Sequence, residues 1–170
     1  DVDTKLSIFS TYIVGLMKKK QELNRVDSLF AEMLEQYPQE EPVHRLFGMY
    51  LSSRKDFSRA EEQYAIAADL APTNPENWLQ LIGLYLYQEK YAEVIRVGKR
   101  AIQYVPDQKD IYMYVAVASA QTKSYDEALS MLETGLNYVE ENDAGTKSFF
   151  YGQMGDVYHS AGDREKSYEM

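Results

Sequence analysis

Pro38, Pro72 and Pro106 stand at one constant spacing of 34 residues. A proline ends or starts a helix, because its ring lacks the amide donor and clashes with the preceding turn. Three of them at one interval therefore cut the chain into equal lengths. Each length has room for two helices of a dozen residues and a turn between them. Between the cuts, apolar residues recur three and four apart, which gives each helix one stripe to bury. A single helix pair has such stripes on both flat sides and cannot cover them alone. It needs a neighbour before it and another after it. The spacing thus predicts stacked, mutually dependent helix pairs and excludes a fold built on strands.

Residues 41–74 carry the repeat most fully: Phe47-Gly48, then Leu51, Ala60, Tyr64 and Ala67, closing on Pro72. This pattern resembles the tetratricopeptide repeat (TPR) family, in which every unit is a pair of antiparallel helices. The resemblance implies an all-α, right-handed superhelical solenoid of antiparallel helix pairs, spanning residues 1–170 as a single array. Framed on the prolines, its repeats are about 7–40, 41–74, 75–108 and 109–147, with a partial repeat over 148–170. The first diverges most, with Val14 in the small-residue slot and Val26 and Met33 in the alanine slots, as terminal units commonly do. Ala116 and Gly155 occupy equivalent slots but lie 39 residues apart. The five additional residues fall near 140–145, as a longer loop, an extra helical turn or a contact loop. The chain stops at Met170 inside what the frame makes the second helix of a unit, and it starts at Asp1 and not at methionine. It is therefore read as part of a longer solenoid.

Local signals fit the frame. Asp3 or Thr4, Asp56, Asn74 and Asp163 are placed to cap helices, Pro75 suits a first helical turn, and Ser124 with Glu127 spells a capping box. Gly48 and Gly155 let paired helices approach, while Tyr64 and Tyr85 fill the wider gaps. Gly98 breaks the pattern, taking the slot held by Phe30 and Tyr64 in earlier repeats. Either a neighbour fills that space or the helix is soft there. His44 shares its slot with Trp78 and Tyr112, which predicts a packed side chain.

Charge and composition limit the function. The net charge of −9 argues against a nucleic-acid or anionic-membrane surface, both of which need a basic footprint. The one basic run, Lys18 to Lys20, suits the end of a helix. With no cysteine there is neither a disulfide framework nor a thiolate metal site, a composition compatible with the cytoplasm or a bacterial periplasm. No apolar run is long enough to span a membrane. Glycine-rich phosphate loops, nucleophile elbows and HExxH patterns are missing. Asp156 and His159, three apart on one helix, lack a third ligand for a metal. The reading is therefore of a non-enzyme with no cofactor.

In the family, the first helix of each unit lines the concave surface where ligands usually lie. Carried over residue by residue, the inward positions are Thr11, Tyr12 and Gly15, then Arg45 and Met49. Leu79, Gln80, Gly83, Leu86 and Tyr87 come from the third unit. The fourth gives Met113, Tyr114, Val117 and Gln121, and the partial unit Gln153, Asp156 and His159. The resemblance thus implies a tyrosine-rich groove for a peptide or a segment of a partner protein, with Tyr12, Tyr87 and Tyr114 outside the packing pattern. Stripes of tyrosine and methionine at helical spacing also serve as core, and a shift of one residue would move them there. Gly15 and Gly83 share a slot next to the packing glycine. They read as that glycine displaced by one, or as a floor a ligand backbone can approach. Members that grip chaperone C-terminal tails use lysine, asparagine and arginine at these positions. Arg45, Met49, Gln80, Asp110 and Tyr114 argue against such tails. Two further readings stay open: a self-association element, and a regulatory or sensor segment of a larger protein.

Overall fold

The computed structural model describes residues 4, 7–9, 11–13, 15 and 23–169. Val14, Lys18 to Lys20 and the expected cap Asp3 lie outside the described residues. The described residues are helical or in turns, with no strand among them. They divide into two compact units, Asp1–Pro72 and Thr73–Met170. The first holds α1 (Leu23–Gln36), α2 (Glu41–Ser53) and α3 (Phe57–Leu70), preceded by helical residues between 4 and 15. The second holds α4 (Pro75–Tyr87), α5 (Tyr91–Ile102), α6 (Lys109–Gln121), α7 (Tyr125–Leu136), α8 (Ala144–Ala161) and the short α9 (Arg164–Glu169).

One turn recurs in both units. Lys55, Glu89 and Lys123 have φ of 64°, 55° and 62°, and Gly162 has φ of 87°. Each sits just past a helix, in the left-handed conformation that closes a helix end. The residue after each donates its N–H back across the turn: Asp56 to Leu51 O, Lys90 to Tyr85 O, Ser124 to Ser119 O and Asp163 to Tyr158 O, at 2.8–3.0 Å. The orphan carbonyls of the last turn are thereby satisfied, and the chain reverses in two or three residues. Nothing in the lysine or glutamate side chains announces this conformation, so sequence alone gives no sign of it.

The repeat boundaries use a second device. The imidazole Nε2 of His44 lies 3.1 Å from the Pro38 carbonyl. Six residues after Pro106, the Tyr112 hydroxyl donates to the Pro106 carbonyl at 2.9 Å. One buried side chain in the first turns of α2 or α6 thus holds the carbonyl of the proline before it. Trp78 and Tyr112 also stack on Tyr104 and Tyr138, with ring centroids 5.9 and 5.5 Å apart.

Packing explains Gly48, Gly98 and Gly135. A Cβ on Gly48 would sit 2.6 Å from the Tyr64 ring, so the α2–α3 hairpin closes only over glycine. In the second unit a Cβ on Gly135 would meet Phe150 and Tyr112, each at 2.8 Å. At Gly98 a Cβ would overlap Cγ2 of Val115. The space that a large side chain takes in earlier repeats is filled there by α6, so α5 is no soft point. The first core gathers Ile13, Phe30, Phe47 and Tyr50, with Phe30 and Phe47 stacked at 4.6 Å. The second closes around Ala116, Leu132, Phe150, Met154 and Val157.

Caps follow expectation in part. The Asn74 side chain accepts from Glu76 N at 3.1 Å ahead of Pro75, and Asp163 accepts from Lys166 N at 3.2 Å. Asp56 stands at its N-cap without a capping bond and pairs with Arg59 at 3.2 Å. The capping box of Ser124 and Glu127 does not form, because Glu127 is drawn away to Ser119 (3.2 Å) and Lys99. The additional residues between repeats enter α8, which has 18 residues where α6 has 13. Asp143 caps this longer helix, and its bonds from Thr146 hold its carboxyl below the usual range.

Candidate functional site

Within the second unit, α4 and α8 both pack against α6, so the first helices of successive pairs lie side by side. Their outward stripes form one face. On α4 it carries Glu76, Gln80, Gly83 and Tyr87, on α6 Asp110, Tyr114, Val117 and Gln121, and on α8 Phe149, Gln153, Asp156 and Ser160. Residues three or four apart on a helix share a side, which fixes these groupings. A hydrogen bond of 2.6 Å from Gln80 to Glu76 reports the same alignment on α4.

A crevice of about 180 Å³ opens between α6 and α8. Ala116, Val117, Ala120, Leu132 and Val157 supply its apolar wall, and Gln121, Gln153, Asp156 and Ser160 its polar margin. Four of these residues, Val117, Gln121, Gln153 and Asp156, were expected at inward positions, and the fold brings them to one opening. Ala120 and Ser160 were missed. Ala120 is one residue off the expected stripe, and Ser160 holds the slot of Gln121 at the 39-residue spacing, one residue beyond the expected His159, which is exposed and does not line the crevice.

The remaining expected residues divide by exposure. Tyr87 is 69% exposed, and Gly83 and Gln121 are exposed. Leu79, Gln80, Leu86, Tyr114 and Val117 are half-buried. Met113 is only 6% exposed and packs in the core with Ala116, Leu132 and Phe150, so it lies beneath the face and not on it. In the first unit Tyr12 and Met49 are exposed. Arg45 there is tied by a 2.8 Å ion pair to Glu41, one turn earlier.

Gly83 answers a question the sequence left open. A Cβ there would meet nothing within 4 Å, and the same holds for Gly15. Neither is the packing glycine displaced by one. A glycine inside a helix costs about 1 kcal/mol relative to alanine, and at Gly83 no contact compensates.

The charge on the face is one-sided. The carboxylates of Asp110 and Asp156 have no cation partner among the described residues, and the crevice margin holds no lysine or arginine. The side-chain amides of Gln121 and Gln153 make no hydrogen bond within the described residues. Among the described residues no group of three or more histidine, cysteine, aspartate or glutamate side chains could hold a metal ion, and no helix is long and apolar enough to cross a membrane.

This arrangement of helix pairs has clear counterparts among solved structures. YrrB, described as a TPR protein with an unusual peptide-binding site, superposes with a TM-score of 0.70 at 16% identity, covering 95% of this chain and 80% of that one. MamA of Desulfovibrio magneticus RS-1 gives 0.72 at 11% identity, over 97% and 90% of the two chains. PilF of Pseudomonas aeruginosa gives 0.70 at 15% identity, over 98% and 73%. The chain therefore has the helical-repeat fold of TPR proteins. No protein-family model matches the sequence, and no curated protein matches it.

Proposed function

We propose that the chain is an interaction scaffold that holds a segment of another protein on the face shared by α4, α6 and α8. One observation carries the reading: Gly83 lies exposed in the middle of α4, on the stripe that this helix gives to the face, where it weakens the helix and an added Cβ would meet nothing within 4 Å. Such a glycine is of use where another backbone must come close to the helix. The same face carries Tyr87, a rigid and largely exposed ring with a polar tip one turn after Gly83, and the half-buried Tyr114 on α6. Aromatic side chains of this kind give contact area at small entropic cost. The peptide-binding site of YrrB, a protein of similar fold, is support by analogy. The chemistry for catalysis is absent from the face, which offers two free carboxylates but no nucleophile–base pair or anion cradle.

Capture from the native source tests the proposal, comparing the unaltered chain with a Tyr87→Ala, Gln121→Ala double variant. Both side chains are exposed, so helicity and melting temperature should stay nearly unchanged while the captured partner is lost. Equal capture by both proteins would place the partner elsewhere. A concentration-dependent shift to dimer in sedimentation, abolished by the same pair of changes, would turn the reading into self-association.

A further inference from the structure

The α6–α8 crevice is specific enough to name the kind of segment it takes. Resting on the reading just given, we infer that it receives an extended peptide stretch that pairs one bulky apolar side chain with a lysine or arginine within a few residues of it. Three features of the opening point to this. First, its volume of about 180 Å³ behind an apolar wall suits a single large group. An apolar protein cavity of roughly 150 Å³ is enough to take up benzene, so a leucine, methionine or phenylalanine side chain fits and a chain of several does not. Second, the wall residues Val117 and Ala120 are left half-buried by the fold itself. Covering them removes apolar surface from water, which supplies binding energy without rearrangement. Third, the margin carries a carboxylate with no cation partner among the described residues. Asp156 lines the opening as an exposed carboxylate, and Asp110 stands at the start of α6 on the same stripe as Val117 and Gln121, neither with a cation partner among the described residues. A charge that has no partner in the free protein gains one when a cationic side chain arrives, and like charges on the segment are repelled.

Gln121 and Gln153 complete the requirement, because each primary amide both donates and accepts. Amides on both helices that line the crevice can hold the N–H and C=O of an extended backbone whatever its side chains. Recognition is then divided: the amides hold the main chain, the crevice selects an apolar anchor, and Asp156 selects the positive neighbour. An acidic segment, or one with no apolar anchor, fails on one of the last two counts.

A phage-displayed library of random twelve-residue peptides, selected on the full chain, tests the inference. The expected consensus is one leucine, methionine or phenylalanine with a lysine or arginine within about three positions. Selected peptides, followed by fluorescence polarisation, should lose affinity at least tenfold on Ala120→Leu, which fills the crevice from within, and on Asp156→Lys. Selection repeated on the Asp156→Lys chain should turn the flanking preference to aspartate and glutamate. Circular dichroism melts of both variants guard against unfolding, and Asp156→Asn, a milder change at an exposed site, should show the same loss in part. Consensus peptides without a basic residue, or affinities indifferent to Ala120→Leu and Asp156→Lys, overturn the inference. If such peptides still lose binding to the Tyr87→Ala, Gln121→Ala chain, the interaction face survives and only its chemistry was misread. Peptides that bind that chain as well as the unaltered one, or no enrichment at all, count against both.

Discussion

The units Asp1–Pro72 and Thr73–Met170 use the same junction differently. In the first, His44 reaches the Pro38 carbonyl with one ring nitrogen and Gln63 with the other, at 3.1 and 2.9 Å. In the second, Tyr112 reaches the Pro106 carbonyl with its hydroxyl and leaves its ring to stack on Tyr138. The polar contact is kept while the body of the side chain changes from a hydrogen-bonding ring to a stacking one. Their faces differ as well. The α2 face ties Arg45 to Glu41, whereas on α6 and α8 the side chains of Asp110, Gln121, Gln153 and Asp156 have no partner among the described residues. The comparison separates two kinds of position. Those that recur at the repeat interval hold the backbone, and those that change from repeat to repeat decide what each face can bind.

The largest effect should come from adding bulk at the closing glycines. Gly48→Leu in the first unit and Gly135→Leu in the second should each lower stability by about 1–3 kcal/mol, since both press on aromatic rings. Thermal or urea unfolding measures this, and no loss at either would mean the hairpin packing is misassigned. Tyr112→Phe is next. It keeps the stack on Tyr138 and removes the bond to Pro106, at an expected loss of about 1 kcal/mol.

The same variant carries a pH signature. Burial, and then Tyr138 beside it, pushes the Tyr112 phenol up from its ordinary 10.0 to about 12. The folded chain therefore holds this proton more tightly than the unfolded one. The corresponding stability is full below pH 10 and is lost as pH rises toward 12. Tyr112→Phe should flatten that alkaline decline, and an unchanged decline would assign it to other groups. In the first unit histidine takes that slot, and the raised phenol there is Tyr50, pushed up by burial, so an alkaline decline of that unit belongs to a different position.

Smaller effects sharpen the contrast from the other side. Gly83→Ala should raise stability by about 0.5–1 kcal/mol, because nothing stands where its methyl would go. Glu89→Gly relieves a left-handed backbone at a helix end and should stabilise by a few tenths of a kcal/mol. A loss in either case would reveal contacts that the fold does not show.

These distinctions mark how far the sequence could be read. Pro38, Pro72, Pro106, Gly48 and Tyr64 act through bulk and backbone, properties that a residue carries wherever it sits, and they announced the helix pairs. The left-handed turns at Lys55, Glu89 and Lys123 were silent, because those residues take that conformation only when the turn imposes it. The candidate face was legible as a stripe, but its depth was not. Met113 and Val117 lie four apart on α6, yet one is buried and the other half-open, since the packing of α8 decides which way the helix is turned. Gln153 and Asp156 line the same opening as Gln121, a meeting of two helices that no local signal in either one reports. Ser124 and Glu127 gave a local capping signal that lost to Ser119 and Lys99, partners distant in sequence.

Gly83→Arg tests the central claim most directly, with melting temperature and partner affinity measured on the same preparation. The open space at Gly83 admits the longer side chain, and arginine favours a helix more than glycine does, so the melting temperature should hold or rise. Partner affinity should fall at least tenfold, because the arginine stands where the bound backbone would lie. A melting temperature that drops by several degrees would make the face part of the core. Unchanged affinity would leave it exposed but idle.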